Sequence, residues 1–321
     1  MYEKYFYFKE KPFHITPDPK FLYLSRNHRE AIDLMNFGIR EKKGFIMLSG
    51  EVGTGKTTLC RALIDRLPAK VGTALILNPV LSGKELLKTI VADFGLKSHD
   101  RTLKGHMDCL NEFLLKSASA GGTAAIIIDE AQNLSTETLE MLRLLSNLET
   151  EKEKLLQIVL VGQPELRDKL GMPELRQLNQ RVIVRHHLLP LDMEETDAYI
   201  RNRLFVAGGA STVRFTDDSV KAVYSASTGI PRMINIICDR ALTAAFVLGK
   251  KTIAIESVEE AVDELRREGY IRDAAPALPS ESQYLRYLPH FAFSAFVISL
   301  IAGMFIGSLI IKNTLLFPLS R

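Results

Sequence analysis

The chain has 321 residues, enough for about two domains, and 46% hydrophobic with 25% charged residues is an ordinary globular composition. The formal net charge of +3 is mild, so it neither demands nor excludes a nucleic acid or an anionic lipid as a partner. The three cysteines are far apart and lack CxxC spacing, which argues against a disulfide framework or a cysteine-based metal site.

The N-terminal segment, residues 1–40, has no apolar run of the kind that a cleavable signal peptide needs. Its part KPFHITPDPKFLYLS contains several prolines, which favour an extended chain over a helix. One interpretation is a strap that packs Phe13, Ile15 and Phe21 against the core. We expect this strap to be followed by a helix.

A phosphate-binding loop follows. The stretch GFIMLSGEVGTGKTTL begins with an apolar run, Phe45–Leu48, that predicts a buried strand, and it matches GxxxxGK[ST] before a periodic helix. Glycines let backbone N–H groups face phosphate oxygens, and the helix N-terminus adds a favourable dipole. Lys56 would reach the β- and γ-phosphates, and the Thr57 hydroxyl would bind Mg²⁺. The predicted cofactors are ATP and Mg²⁺, and the predicted binding residues are Gly50, Glu51, Val52, Gly53, Thr54, Gly55, Lys56, Thr57 and Thr58.

Two adjacent carboxylates end the next apolar segment, AAIIIDEAQNL. Asp129 at the tip of the predicted strand would lie across from Thr57 and help to hold Mg²⁺. Glu130 is placed to polarise the attacking water. A small-molecule kinase does not need this second carboxylate, so the pair favours hydrolysis coupled to conformational change. The alternative is that the two acids only cap the following helix.

Gln163 and Arg181 are further candidates for sensing the nucleotide or completing the site. The segment LLQIVLVGQPEL predicts a buried strand with Gln163 just past its end, where an amide can contact the γ-phosphate and the water. The segment LNQRVIVRHHLLPL predicts a helix end and a fifth strand. Arg181 precedes that strand, where oligomeric ATPases place an arginine that reaches a neighbouring subunit. Arg176 is the competing choice, and a surface salt bridge is the alternative role.

After Pro190 the pattern becomes helical. Arg232 falls in the first turn of a predicted helix, where a cation opposes the helix dipole. It makes more sense as a second sensor that reaches a nucleotide phosphate. The predicted helices are 192–206, 216–227, 232–248 and 257–268.

An uncharged stretch of 21 residues, Phe291–Ile311, lies near the end of the chain. At about 1.5 Å per residue its length matches a bilayer core of about 30 Å, which predicts one transmembrane helix. Small residues recur every fourth position in it, a spacing that permits close helix association. They are Ala295, Ser299, Gly303 and Gly307.

The expected fold is therefore α/β: a P-loop NTPase αβα sandwich of AAA+ type with a parallel sheet, a C-terminal helical lid and one transmembrane helix. The expected division of the chain is 1–40 N-terminal strap and helix, 41–190 P-loop ATPase core, 191–270 helical lid, 271–290 linker, 291–311 transmembrane helix and 312–321 short periplasmic tail.

The motifs together resemble AAA+ ATPases, and more narrowly the general secretion pathway protein A family. The N-terminal string up to GEVGTGKTT, together with IIIDEAQNLS, VGQPEL, LNQRV and GIPRMINIICDRAL, carries this resemblance over about residues 1–270. It implies an inner-membrane ATPase that supports assembly of the type II secretion secretin with a partner membrane protein. Longer members carry a periplasmic peptidoglycan-binding domain, whereas only Lys312–Arg321 follow the apolar stretch here. We therefore expect a shortened form that does not bind peptidoglycan directly.

The resulting expectation is a single-pass inner-membrane protein with a cytoplasmic ATPase domain, hydrolysing ATP to ADP and phosphate to assemble or position an envelope export machine. It would associate with itself, as a ring or dimer, and with a partner inner-membrane secretion protein. The ATPase of exopolysaccharide loci is a close alternative, and a DNA-binding transposition helper is a more distant one. Nucleic acid is not the expected partner, because basic residues alternate with acidic ones throughout.

Residues 1–40 also have a second interpretation beside the packed strap. In it, the segment closes over the adenine, with His28 nearby.

Overall fold

The computed structural model describes residues 1–271, except 17, 78, 99, 151, 152, 210 and 211. The predicted transmembrane segment 291–311, the tail 312–321 and all but the first residue of the linker 271–290 lie outside the described residues. Within the described part of the chain, no helix is both long and apolar enough to cross a membrane. Residues Met1–Glu268 form one compact unit.

The elements alternate between strands and helices up to residue 188 and are mainly helical afterwards. In chain order they are α1 (Tyr2–Tyr5), α2 (Arg26–Arg40), β1 (Phe45–Gly50), α3 (Lys56–Ile64), β2 (Val71–Ile76), α4 (Gly83–Asp93), α5 (Leu103–Ser119), β3 (Thr123–Ile128), α6 (Thr136–Leu145), β4 (Leu156–Gly162), α7 (Glu165–Leu170), α8 (Arg176–Arg181), β5 (Val182–Leu188), α9 (Met193–Val206), β6 (Arg214–Phe215), α10 (Asp217–Ser227), α11 (Pro231–Val247), β7 (Thr252–Ile253) and α12 (Ile255–Arg267). Short 3₁₀ turns lie at Pro19–Phe21, Ala131–Asn133 and Pro173–Leu175.

The main sheet has five parallel strands in the order β2-β3-β4-β1-β5. Strand β4 therefore lies between β1, which leads into the phosphate-binding loop, and β3, which leads into the acid pair. Ser49 pairs with Gly162, and Ile128 pairs with Leu160. Because parallel strands end at the same edge of the sheet, the predicted catalytic motifs lie close together there. This is the edge at which open α/β sheets bind their ligands.

Two apolar layers cover the two faces of this sheet. Alternate residues of β1 enter different clusters: Met47 packs with side chains of α4, α5 and α6, whereas Ile46 and Leu48 pack with those of α2 and α3. The central strands are buried along their whole length, which explains why they read as continuous apolar runs in the sequence. The predicted αβα arrangement with a parallel sheet is confirmed.

The four helices predicted after Pro190 are present as α9 to α12, with ends within two residues of the predicted ones. Capping explains two of the starts: the Asp192 side chain accepts from the N–H of Glu195, and that of Thr216 accepts from the N–H of Ser219. The sequence did not predict the two-residue strands β6 and β7, which pair in parallel. The boundaries proposed for the core and the lid remain predictions.

The N-terminal segment is anchored by aromatic side chains. Phe13 and Phe21 are buried, as predicted for a packed strap. The prediction for Ile15 was wrong, because its side chain is 55% exposed. Ile15 instead lines the pocket beside the phosphate-binding loop.

Candidate nucleotide-binding site

The phosphate-binding loop connects β1 to α3. Gly53 and Gly55 have φ angles of +85° and +98°, which residues with a Cβ rarely adopt. Lys56 is 5% exposed, and its Nζ donates to the carbonyl oxygens of Gly50 at 2.7 Å and Glu51 at 2.9 Å. Burial lowers the pKa of Lys56, while Glu130 and Asp129 act in the opposite direction. The loop thus holds its lysine inward, at the start of the helix that a phosphate would face.

Thr57 and Asp129 lie in direct contact, as predicted from two motifs far apart in the sequence. The Thr57 hydroxyl donates to Oδ2 of Asp129. Asp129 is 1% exposed, and burial raises its pKa, although hydrogen bonds from Thr57 and from the Glu130 N–H oppose that rise. A hydroxyl and a buried carboxylate are oxygen donors of the kind that Mg²⁺ prefers, so the pair fits that ion.

Glu130 follows with an unusual backbone. Its φ of 53° and ψ of 36° lie in the left-handed region, which is rare for a residue that is not glycine. Oε2 of Glu130 accepts from Nε2 of Gln132 at 2.6 Å and from Nε2 of Gln163 at 3.2 Å. Oε1 of Gln132 in turn accepts from the backbone N–H of Gln163 at 3.1 Å. The structure therefore joins the predicted Glu130 and Gln163 directly and also through a third side chain, Gln132.

Arg232 lies against the phosphate-binding loop at the start of α11. Its backbone N–H donates to the Gly53 carbonyl at 3.2 Å, and a Cβ added to Gly53 would lie 2.6 Å from the Cβ of Arg232. Gly53 thus permits both the loop turn and the close approach of α11. Arg232 lines the same pocket as the loop, as expected of a residue near bound phosphates.

His28 contacts the same loop from the other side. Its ring is 5% exposed, and Nε2 lies 3.0 Å from the Thr54 carbonyl oxygen, while Nδ1 lies 2.7 Å from Oγ of Ser25. Burial lowers the pKa of His28. The neutral ring that burial favours donates from Nε2 and accepts at Nδ1.

A pocket extends from the loop toward the N-terminal segment. On the loop side it is lined by residues 52–58, Glu130, Pro231 and Arg232. On the other side it is lined by His14, Ile15, Thr16, Asp18, Phe21, Leu22, Tyr23, His28, Leu191, Tyr199, Arg203 and Asn235. Part of the N-terminal segment therefore lies beside the predicted nucleotide site.

Arg181 and Arg176 lie at opposite ends of α8. Arg181 donates from Nη1 to Oγ of Ser146 at 2.9 Å and also to the side chain of Asn147. Neither arginine lines the pocket beside the phosphate-binding loop of its own chain. This location is compatible with a role toward a neighbouring subunit, which remains a prediction for both.

The sequence did not reveal Gln132, Tyr199, Arg203 or Asn235 as site residues. For Gln132 a signal existed, because it stands two residues after Glu130 at the end of a strand that carries site residues. Arg203 lies four residues after Tyr199, which places both on one face of α9. A charged residue on a face that is otherwise buried is a cue that could have been used.

Comparisons with known proteins agree with this geometry. A family model described as an AAA domain matches residues 39–170. General secretion pathway protein A of Aeromonas hydrophila is 48% identical over 254 residues, covering 79% of this chain and 46% of the relative. The chain thus spans about half the length of that curated relative.

Solved structures support the fold. The ORC2 protein of Aeropyrum pernix has a TM-score of 0.58 at 18% identity, over 80% of this chain and 72% of that one. The RuvB Holliday junction branch migration motor of Thermotoga maritima has a TM-score of 0.52 at 17% identity, over 77% and 73%. At these identities the likeness concerns the fold alone.

The strand order, the phosphate-binding loop and the Asp129–Glu130 pair together define a P-loop ATPase of the AAA+ class. Most of its described residues also align with one relative at high identity. The chain is an AAA+ ATPase that is similar to general secretion pathway protein A over 79% of its length.

Proposed function

We propose that the chain binds ATP with Mg²⁺ and hydrolyses it to drive assembly or positioning of a cell-envelope export machine. The observation that carries the catalytic part is the contact of Thr57 with Asp129 beside the network of Glu130, Gln132 and Gln163. The similarity to general secretion pathway protein A supports the envelope part.

Each side chain would have a separate task in hydrolysis. Thr57 and Asp129 would hold Mg²⁺, which supplies positive charge next to the β- and γ-phosphate oxygens. Lys56 and Arg232 would face the phosphates and offset the negative charge that develops there. Glu130 would polarise the water and accept its proton as the oxygen attacks the γ-phosphorus and ADP leaves. Gln163 would orient that water.

The rest of the pocket would hold the nucleoside. The side of the pocket away from the phosphate-binding loop is lined in part by residues 14–16, Asp18, residues 21–23 and His28 of α2, which supports the interpretation that the N-terminal segment closes over the adenine. Helices α9 to α12 would act as the lid, and α11 touches Gly53 directly. A lid in contact with the loop would sense whether a nucleotide is bound.

Two finer parts of the proposal concern assembly and location. Arg181, with Arg176 as the competing choice, would reach the γ-phosphate of a neighbouring subunit in a ring or dimer. The uncharged stretch Phe291–Ile311 would anchor the protein in the inner membrane, with the ATPase in the cytoplasm and the end of the chain in the periplasm. Its stripe containing Gly303 and Gly307 would pair with itself or with a partner's helix.

The catalytic proposal is tested on the full-length chain in detergent, by nucleotide binding and steady-state phosphate release. Lys56→Ala should lose ATP affinity, and Glu130→Gln should bind ATP but hydrolyse it about 100-fold more slowly, in line with the usual size of acid–base contributions. Lys116→Ala and Glu112→Gln are matched controls, because these side chains are 75% and 68% exposed and pair with each other on α5. Normal turnover in Glu130→Gln would remove Glu130 from this role.

The envelope proposal is tested in the source bacterium by replacing the gene with the Lys56→Ala form. Loss of multimeric secretin with intact secretin monomer would support it. Retention of secretin assembly and secretion would contradict that assignment. The topology is tested separately: a reporter that works only in the periplasm should be active when it is fused after Arg321. Retention of the protein on a DNA column at about 0.1 M salt would favour the DNA-binding alternative.

A further inference from the structure

Arg203 is a buried cation without a carboxylate partner in the described part of the chain. It lies on α9 and is 6% exposed. No ion pair joins it to an aspartate or glutamate among the described residues. Burying a charge is costly unless hydrogen bonds satisfy it, so its partners should explain why it is there.

Those partners are largely backbone carbonyls of the N-terminal segment. Nε of Arg203 donates to the Pro12 carbonyl, and Nη2 donates to the His14 carbonyl at 3.2 Å. The guanidinium also stacks on the ring of Phe21, with its central carbon 4.7 Å from the ring centroid. One side chain thus holds the segment at both ends of the stretch that contributes His14, Ile15 and Thr16 to the pocket.

The same guanidinium is connected to the helix that touches the phosphate-binding loop. Nη1 of Arg203 donates to the Tyr199 hydroxyl at 2.9 Å, and that hydroxyl donates to Oδ1 of Asn235 at 2.9 Å. Asn235 lies on α11, one turn after Arg232, whose N–H contacts Gly53. A continuous chain of contacts therefore leads from the N-terminal segment through α9 to α11.

We propose that Arg203 is the positioning residue that latches the N-terminal segment across the nucleoside end of the pocket. The guanidinium fork is suited to this, because it donates in several fixed directions that a lysine cannot reproduce. With the latch in place, residues 14–16 form a wall of the nucleoside site. Without it, the phosphate-binding loop remains intact but the nucleoside loses that wall. This inference depends on the proposed ATP binding and adds a residue that determines how long the nucleotide stays.

The test compares two ligands on full-length protein: ADP, which has a nucleoside, and inorganic tripolyphosphate, which does not. Arg203→Met keeps most of the buried volume but removes the donors, so it should weaken ADP binding and speed ADP release about tenfold. Tripolyphosphate affinity should stay within about twofold, because it would contact the phosphate-binding loop and Arg232 and not the wall formed by residues 14–16. In turnover, KM for ATP should rise while kcat does not fall.

Two further variants make the result specific. Arg203→Lys keeps the charge without the fork and should give an intermediate loss of ADP affinity. Arg201→Met on the same helix is the matched control, because Arg201 is 72% exposed and pairs only with Asp197 in the described structure, and it should change nothing.

The outcomes separate the possibilities. An equal loss of ADP and tripolyphosphate affinity in Arg203→Met would overturn the latch and make Arg203 a general support of the fold. Unchanged ADP affinity and release would overturn it as well. If Arg203→Met does not fold, the Arg203→Lys variant decides by the same two ligands. Wild-type protein that binds neither ligand would instead refute the proposed function.

Discussion

The Nε2 atom of His28 lies 3.0 Å from the carbonyl oxygen of Thr54, so a side chain at the start of α2 holds the backbone of the phosphate-binding loop. The other ring nitrogen faces Ser25 Oγ at 2.7 Å, and the ring is buried. Both nitrogens are therefore used inside the protein. The loop's shape depends on a residue that the phosphate-binding motif does not contain.

His28→Ala should weaken nucleotide binding and lower the free energy of unfolding by about 1–3 kcal/mol, because the Thr54 carbonyl loses its buried donor. His28→Gln should recover part of both, since its amide can place a donor near the position of Nε2. Nucleotide titration and urea unfolding measure the two effects. Arg29→Ala, at the neighbouring exposed position, is the control. Equal losses in the Ala and Gln variants would show that ring packing, not the donor, matters.

Protonation of His28 should destabilise the fold. Burial lowers its pKa, so at mildly acidic pH the unfolded chain, with an ordinary histidine pKa of about 6.5, binds the proton more readily than the folded one. The stabilising contribution is therefore present above about pH 6.5 and is lost as pH falls below it. His28→Gln should show a flatter fall in unfolding free energy between about pH 7 and 5. His186, whose pKa burial also lowers, stays in both proteins, so the difference between them reports His28.

Gln132→Ala should lower kcat about tenfold with little change in KM for ATP. The Gln132 amide donates to Glu130 and accepts from the Gln163 N–H. Its loss removes one donor to the carboxylate that would polarise the water and leaves the phosphate contacts untouched. Steady-state phosphate release at several ATP concentrations separates the two constants. Asn133→Ala, next in the chain and exposed, should behave like wild type. A rise in KM with unchanged kcat would contradict this role.

Mixing Arg181→Ala subunits with Lys56→Ala subunits should restore part of the ATPase activity that each lacks alone. Some interfaces then join an intact Arg181 to an intact Lys56 site. Arg181 does not line its own chain's pocket, which is why a role in the neighbouring subunit is expected. Phosphate release is measured on oligomers proven to be mixed. If only Arg176→Ala subunits complement in this way, the trans-acting residue is Arg176.

Gly229→Ala should destabilise the protein by more than about 3 kcal/mol, among the larger effects seen for single substitutions. Gly229 has a φ of +75°, and an added Cβ would lie 1.9 Å from the Leu191 carbonyl oxygen, which is backbone and cannot move aside. Gly249→Ala is the control, with a φ of +66° but no atom within 4 Å, and should cost only about 1–2 kcal/mol. Urea unfolding of both variants gives the comparison. Similar losses would mean that the backbone conformation alone is responsible.

The sequence by itself predicted four of the five strands of the main sheet and a phosphate-binding loop, but it did not place β2. Continuous apolar runs predicted β1, β3 and β4, because strands buried on both faces need apolar residues at every position. The predicted function of the glycine-rich loop depends on local backbone geometry, so its motif can be recognised from the sequence without knowledge of the fold. The same holds for Asp129 and Glu130, which follow an apolar strand directly.

Tertiary structure decided which side chains support these motifs. The contacts of His28 with Thr54 and of Arg203 with Pro12 join residues that are distant in the sequence, and no local pattern encodes such pairs. Ile15 was expected in the core because it is apolar, but its position beside the pocket leaves it exposed. The hydrophobicity of a residue such as Ile15 shows that burial would be favourable. Whether the side chain is in fact buried depends on how α2, α9 and the N-terminal segment pack.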